Sequence, residues 1–250
     1  MPGNRLRACL RTSSREFSLK ERAIKKKLMP LLREDDLEHI LAEVALFPPH
    51  LVISSLMSGL YQADERVKWN TVTIIGQVMD AIVRTDMEAA RVIMRRILWN
   101  LNEESGGIGW GMPEALGEIM AVNRKLAQEY AHMLVSYMRE ENFLELPALQ
   151  QGLLWGIGRL AMVRPDLILK YDGDGYMALF LESPDEVVLG LASRNFGILR
   201  IKEAAYHIRG FVDIRQPVRL YENRRFLETT VGALARQALA RIDGSEGSEK

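Results

Sequence analysis

Cysteine is almost absent from these 250 residues, and Cys9 stands alone. A disulfide within the chain needs two thiols and a Cys-x-x-Cys metal or redox site needs as many, so both are excluded. Histidine is scarce too: His39, His50, His132 and His207 sit in unrelated contexts, and none is followed by glutamate. The set lacks the spacing of a metal motif, so neither a metal nor another cofactor is expected. Long apolar runs are also missing. The stretch around Ile74 and Ile75 is interrupted by polar residues well short of the ~18 needed for a membrane span. No leading apolar secretion segment is present, and the expected location is the cytoplasm.

Net charge is missing as well, because 33 basic residues balance 33 acidic ones. The balance is uneven along the chain. Residues 1–33 hold ten basic residues (Arg5, Arg7, Arg11, Arg15, Lys20, Arg22, Lys25, Lys26, Lys27, Arg33) against Glu16 and Glu21, a local +8 that leaves −8 for the rest. A basic start can steer an acidic partner, whereas the acidic remainder argues against a long phosphate-binding groove. What the chain does have is apolar material: 48% of its residues are hydrophobic, enough for a folded core.

That material is arranged periodically. Gly76, Gly117, Gly158, Gly197 and Ala235 each follow an apolar segment, at spacings of 41, 41, 39 and 38 residues. A period near 40 is that of helical-pair repeats of the HEAT or armadillo kind. Val67, Thr71, Ile75, Val78 and Ile82 recur every three or four positions, as do Ala90, Ile93, Ile97 and Leu101, and both sets predict amphipathic helices. Glycine inside a helix costs about 1 kcal/mol relative to alanine. Its recurrence at equivalent positions implies a notch that lets the next helix approach closely. The fold class expected is therefore all-α, a right-handed α-α superhelix of about five helical pairs.

Inner helices are predicted over roughly 65–82, 111–122, 147–162, 185–199 and 224–242. Outer helices are predicted over 50–60, 86–101, 124–139, a broken segment through 165–181, and 201–210. Capping helices are expected around 17–30 and 36–46, and Pro217 marks an interruption.

Asp64-Glu-Arg-Val67 through Ile75-Gly76, and Pro113-Glu-Ala-Leu-Gly-Glu118, resemble the HEAT-like repeats of the phycobilisome-lyase superfamily. The resemblance covers about 50–242, and later copies depart from it by placing Trp-Gly-Ile or Asn-Phe before the glycine. The whole chain looks like a bacterial HEAT-repeat protein family marked by Glu104-Ser-Gly-Gly-Ile-Gly-Trp-Gly111. The superfamily includes protein-binding scaffolds and chromophore-attachment enzymes, so the resemblance implies the fold and not bilin chemistry. The organisation it suggests is a basic flexible leader over 1–15, one HEAT-like domain with capping helices over 16–242, and a flexible tail over 243–250.

The connection from Trp99 to Glu114 is the least regular segment. Gly106, Gly107, Gly109 and Gly111 permit a tight path, and Trp110 offers a large rigid surface. The glycines do not spell a phosphate-binding loop. Glu103, Glu104 and Glu114 are candidates to hold cationic groups, and Asn100 to donate a hydrogen bond. Trp69 and Trp110 each lie seven residues before a notch, which suggests packing between the first two repeats. Asp172-Gly-Asp174-Gly lacks the spaced ligands of a calcium loop and reads as a polar turn.

The leading functional expectation is a noncatalytic protein-interaction scaffold that uses its concave surface and the 103–114 loop, with a protein or peptide partner. One alternative is a small-molecule hydrolase or modifying enzyme, with Glu104 or Glu114 as general base beside the loop. The other is nucleic-acid binding through the basic N-terminal segment, which the acidic remainder disfavours. The sequence leaves the oligomeric state open.

Overall fold

A computed structural model describes residues 19–102 and 108–244. Two capping helices, α1 (19–31) and α2 (Leu37–Ala45), precede the regular pairs. Outer helices α3 (Pro49–Leu60), α5 (Met87–Leu101) and α7 (Arg124–Ser136) alternate with inner helices α4 (Glu65–Thr85), α6 (Met112–Val122) and α8 (Pro147–Ala161). The next outer segment is broken into α9 (Pro165–Lys170), α10 (Gly173–Met177) and a 3₁₀ turn at Ala178–Glu182, before inner helix α11 (Glu186–Leu199). The last pair is short α12 (Ala205–Arg209) and α13 (Val231–Ile242), with a hairpin of β1 (Pro217–Glu222) and β2 (Arg225–Thr230) between them.

Local chemistry sets these boundaries. The Asp64 carboxylate accepts hydrogen bonds from the Arg66 and Val67 amides to start α4. Asp86, Asn123, Asp185 and Thr230 cap α5, α7, α11 and α13 in the same way. Proline opens α3, α8 and α9, where its missing N–H is not required. Asp172, in the left-handed region at φ 59°, begins α10, so the Asp172–Gly175 segment is a polar helix start.

The inner helices pack in sequence, α4 on α6, α6 on α8, α8 on α11 and α11 on α13, and one buried apolar core runs from Ile24 to Ile242. Each repeat buries its stripe against the next, and the result is an all-α repeat superhelix apart from the hairpin.

The notches sit at these junctions. A Cβ placed on Gly117 would come within 2.5 Å of the Gly156 carbonyl oxygen on α8. One on Gly197 would lie 2.5 Å from Ala238 Cα on α13, and one on Gly76 would lie 3.0 Å from Glu118 Cγ on α6. Gly158 is closed by Arg194 and Asn195 of α11, and Ala235 is fully buried in α13.

One predicted helix is wrong in part. The segment 224–242 does not run as a single inner helix, because residues 225–230 form β2 and α13 begins only at Val231. The repeat period reaches across Phe226, where local chemistry favours a hairpin. Val218 and Tyr221 are good strand formers, Pro217 sits at the tolerated first strand position, and Asn223 accepts the positive φ a tight turn requires.

Candidate functional site

Four inner helices present one polar and aromatic surface. On α4, Glu65, Trp69, Thr73 and Gln77 follow at intervals of four residues and therefore share a face. Glu114 and Glu118 of α6, Trp155 and Arg159 of α8, and Arg194 of α11 continue it. Ion pairs bridge these elements: Lys68 Nζ to Glu114 Oε1 at 2.5 Å and Arg159 Nε to Glu118 Oε2 at 2.6 Å across helix junctions, and Arg194 Nη2 of α11 to Glu222 Oε1 of β1 at 2.8 Å. Burial holds the Arg194 guanidinium pKa below its ordinary value, against the opposing pull of Glu222.

Inner helices line the concave side of an α-α superhelix, which makes this face a groove. Helices α4 and α8 flank α6 on it, each about 8–10 Å from α6. The indoles of Trp69 and Trp155 nevertheless meet over α6, with ring centroids 4.6 Å apart.

The hairpin lies in this groove. Tyr221 stacks on Trp69 at 4.9 Å with the rings inclined by 16°, and its hydroxyl is 3.1 Å from Thr73 Oγ1. Burial raises the Tyr221 phenol pKa. Side chains alternate along a strand, so Val218 and Leu220 point to one side of β1 and Arg219 and Tyr221 to the other. Val218, Leu220 and Tyr221 are all buried, so β1 is covered on both faces, whereas β2 is exposed or half-buried throughout.

The ladder bond from Val231 N–H to Gln216 O fixes the alternation of the register. Tyr221 therefore occupies a position whose backbone groups face away from β2. Its carbonyl accepts a hydrogen bond from Trp155 Nε1 at 2.7 Å. The hairpin is thus set edge-on, with β1 at the floor and β2 at the mouth.

At the rim, Arg219 pairs with Glu65 at 2.8 Å and Arg224 with Glu38 at 2.5 Å, tying the last repeat to α4 and α2. The turn residues Asn223 and Arg224 have φ of 50° and 63°, the type I′ arrangement in which glycine is favoured at the second position. Beneath the turn lies a cavity of about 180 Å³ bounded by Gln77, Glu118, Arg159, Arg194 and Glu222.

The sequence-selected residues fall in different places. Trp69 is at the centre of the groove, packed on Trp155 of the third repeat and on the hairpin, not on Trp110. Trp110 is 38% exposed and precedes α6, whose N-cap is Gly111 at φ 74°. Equal spacing from the notch does not give equal placement: Trp69 lies within α4, and Trp110 lies on the turn before α6.

Glu114 is buried and paired with Lys68, and its Oε2 has no hydrogen-bond partner among the described residues. The Asn100 backbone carbonyl abuts Gly109, and no hydrogen bond joins Asn100 to Glu114 among the described residues. Gly111 packs on Leu60 at the end of α3. Ile108 and Gly109 border an open groove of about 1100 Å³ with Glu140, Glu141 and Glu145 among its walls. Glu103, Glu104, Gly106 and Gly107 lie outside the described residues. Among the described residues no cluster of metal-ligating side chains occurs, and no helix is long and apolar enough to cross a membrane.

Sequence reasoning missed Thr73, Trp155, Tyr221 and Glu222 as members of one site. Tyr221 was detectable as the aromatic residue of the strand-like Val218–Glu222 segment. Its partners were not, since 148 residues separate it from Thr73.

No protein-family model matches this chain, and no curated protein matches it. Among solved structures, an engineered protein aligns with TM-score 0.50 and 15% identity over 88% of this chain and 98% of its own. A designed armadillo repeat protein aligns with TM-score 0.46 and 15% identity over 86% and 98%. Another, solved in complex with the peptide (KR)4, aligns with TM-score 0.48 and 14% identity over 86% and 98%. The chain has a HEAT/armadillo-like helical-repeat fold, seen in its stacked inner helices.

Proposed function

We propose that this chain is a noncatalytic protein-interaction scaffold whose concave face holds an extended segment of a protein or peptide partner. One observation carries the reading: the groove already grips a strand, β1, by aromatic stacking at Trp69, a backbone hydrogen bond from Trp155 and charge pairs at its rim. Extended peptides are recognised by this combination of backbone bonds for affinity and side-chain pockets for specificity. The exposed Trp110 edge beside the 103–114 connection is a second contact surface in this reading, since tryptophan dominates binding energy where it is buried on association. The resemblance to phycobilisome-lyase HEAT-like repeats agrees with it, because that superfamily includes scaffolds.

The test is affinity capture with the tagged full chain, followed by calorimetry with the purified partner. A direct complex that weakens at least tenfold with Trp110→Ala, or with Gln77→Trp in the groove, is the expected result. A partner that binds both variants as well as the parent, or no partner in repeated captures, refutes the proposal.

A further inference from the structure

The hairpin is an addition to the repeat plan. Among the described residues the other inner helices follow their outer partners without a sheet between them, and the last junction has a direct contact of its own, Gly197 of α11 against Ala238 of α13. Gly232, at the start of α13, is also held by a bond from its N–H to the Ile214 carbonyl, next to where the hairpin departs. The hairpin could therefore leave the groove while α13 keeps its contacts with α11. Its own hold is mixed. Tyr221, Val218 and Leu220 are buried, but the rim pairs Arg219–Glu65 and Arg224–Glu38 are exposed on both sides and contribute little in water. Arg224 occupies the left-handed region without being glycine, a strained turn that the seated position must maintain. A two-stranded hairpin alone is marginally stable, so this one depends on the groove for its shape.

Building on the scaffold reading, we propose that the hairpin residues Pro217–Thr229, up to the Thr230 cap of α13, are a displaceable resident of the groove, and that the partner replaces them with an extended segment of the same chemistry. The resident specifies that chemistry. An aromatic residue must stack on Trp69, its carbonyl must receive the Trp155 indole N–H, an arginine two positions earlier must reach Glu65, and an acid one position later must meet buried Arg194. The motif is Arg-x-aromatic-acid, as in Arg219-Leu-Tyr-Glu222. An acid after the aromatic residue is the strictest element, because emptying the groove leaves the Arg194 charge without its carboxylate. Affinity for the partner is lowered by the fraction of time the groove is occupied by the hairpin, so loosening the hairpin raises it.

The probe is a fluorescein-labelled synthetic peptide of residues 215–232, closed by a disulfide between cysteines added at its ends. Fluorescence anisotropy compares three full-length chains, all with Cys9→Ser. The first is otherwise unchanged. The second carries Arg219→Ser and Tyr221→Ser to release the hairpin. The third carries Glu38→Cys and Arg224→Cys, joined by a short bis-maleimide linker that holds the hairpin down. The released chain is expected to bind the probe at least tenfold tighter than the first, the linked chain to show no binding, and a probe with Tyr221→Ala to lose affinity for the released chain.

Equal binding by the released and unchanged chains, with helical circular dichroism intact, overturns the proposal, as does binding by the linked chain. Hydrogen exchange on the unmodified chain is a second readout that needs no released variant. Hairpin amides that exchange well before those of α8 and α11 support displacement, and amides that exchange only with global unfolding overturn it. The native partner separates the two readings. If it binds the linked chain as tightly as the unchanged one, the scaffold stands and the displaceable hairpin falls. If no partner is found although the probe binds the released chain, the reverse holds.

Discussion

Replacing Gly117 by alanine sets two effects of opposite sign against each other, and the structure says which wins. Alanine in the middle of α6 should stabilise that helix by up to about 1 kcal/mol through propensity alone. The added methyl, however, would sit 2.5 Å from the Gly156 carbonyl oxygen and closer still to Gly156 Cα, both backbone atoms of α8. An ordinary contact needs roughly 3.4 Å, so the two helices must separate by about 1 Å or more. No flexible side chain stands there to yield. Overpacking of this kind costs about 1–3 kcal/mol and, because it also loosens the junction around the methyl, the upper part of that range applies. The net expectation is destabilisation by about 1–2 kcal/mol.

Gly190→Ala is the control. Its methyl would meet the side-chain tips Val231 Cγ2 at 3.2 Å and Leu234 Cδ1 at 3.3 Å, which can move by tenths of an ångström. That change should lie within about 0.5 kcal/mol of neutral. Urea denaturation followed by circular dichroism measures both. A Gly117→Ala chain as stable as Gly190→Ala would refute the account of the notch as a site of obligatory close approach.

Tyr221→Phe should cost about 0.5–1.5 kcal/mol, because it removes the hydroxyl near Thr73 and keeps the stack on Trp69; urea midpoints check it, and an unchanged midpoint would deny the bond any net value. Glu222→Leu should cost about 3 kcal/mol, since it leaves Arg194 charged and 5% exposed, while Arg194→Met with Glu222→Leu should recover most of the loss. A double-mutant cycle measures this, and additive losses would contradict it. The His39 imidazole should titrate above its ordinary 6.5, because it hydrogen-bonds Glu34, and Glu34→Gln should lower that pKa in an NMR titration. The sign follows from linkage: a raised folded-state pKa gives a contribution fully present below the unfolded value and lost as pH rises through the folded one. No change on Glu34→Gln would remove Glu34 as the cause.

The superhelix was legible because its determinants are local and repeated. Apolar stripes at intervals of three and four and glycine notches near a period of 40 point to the same helices. The groove was not legible, because its members are joined across repeats and not by spacing. Trp69 and Trp155 meet across α6 although 86 residues separate them, a contact that no single repeat displays. Trp69 and Trp110 illustrate the converse error: identical spacing from a notch placed one in the groove and the other on an exposed turn. The hairpin lay between these cases. Its alternation and its Asn223 turn were present in the residues, but the repeat period, strong everywhere else, outweighed them.

The same hairpin changes how such a fold holds together. In a plain solenoid each repeat touches only its neighbours, so stability is a sum of adjacent terms and an end can fray without the other end responding. Here Arg224 reaches Glu38 across 186 residues and Arg219 reaches Glu65 across 154. Those pairs are exposed and individually weak, yet they accompany the buried Tyr221–Trp69 stack, which has the same long reach. The first and last repeats are therefore coupled directly as well as through the intervening stack. A partner that takes the hairpin's place would keep the groove filled while releasing this closure. Binding on the inner face is then linked to how firmly the two ends are held together, a link that follows from reciprocity wherever one element takes part in both.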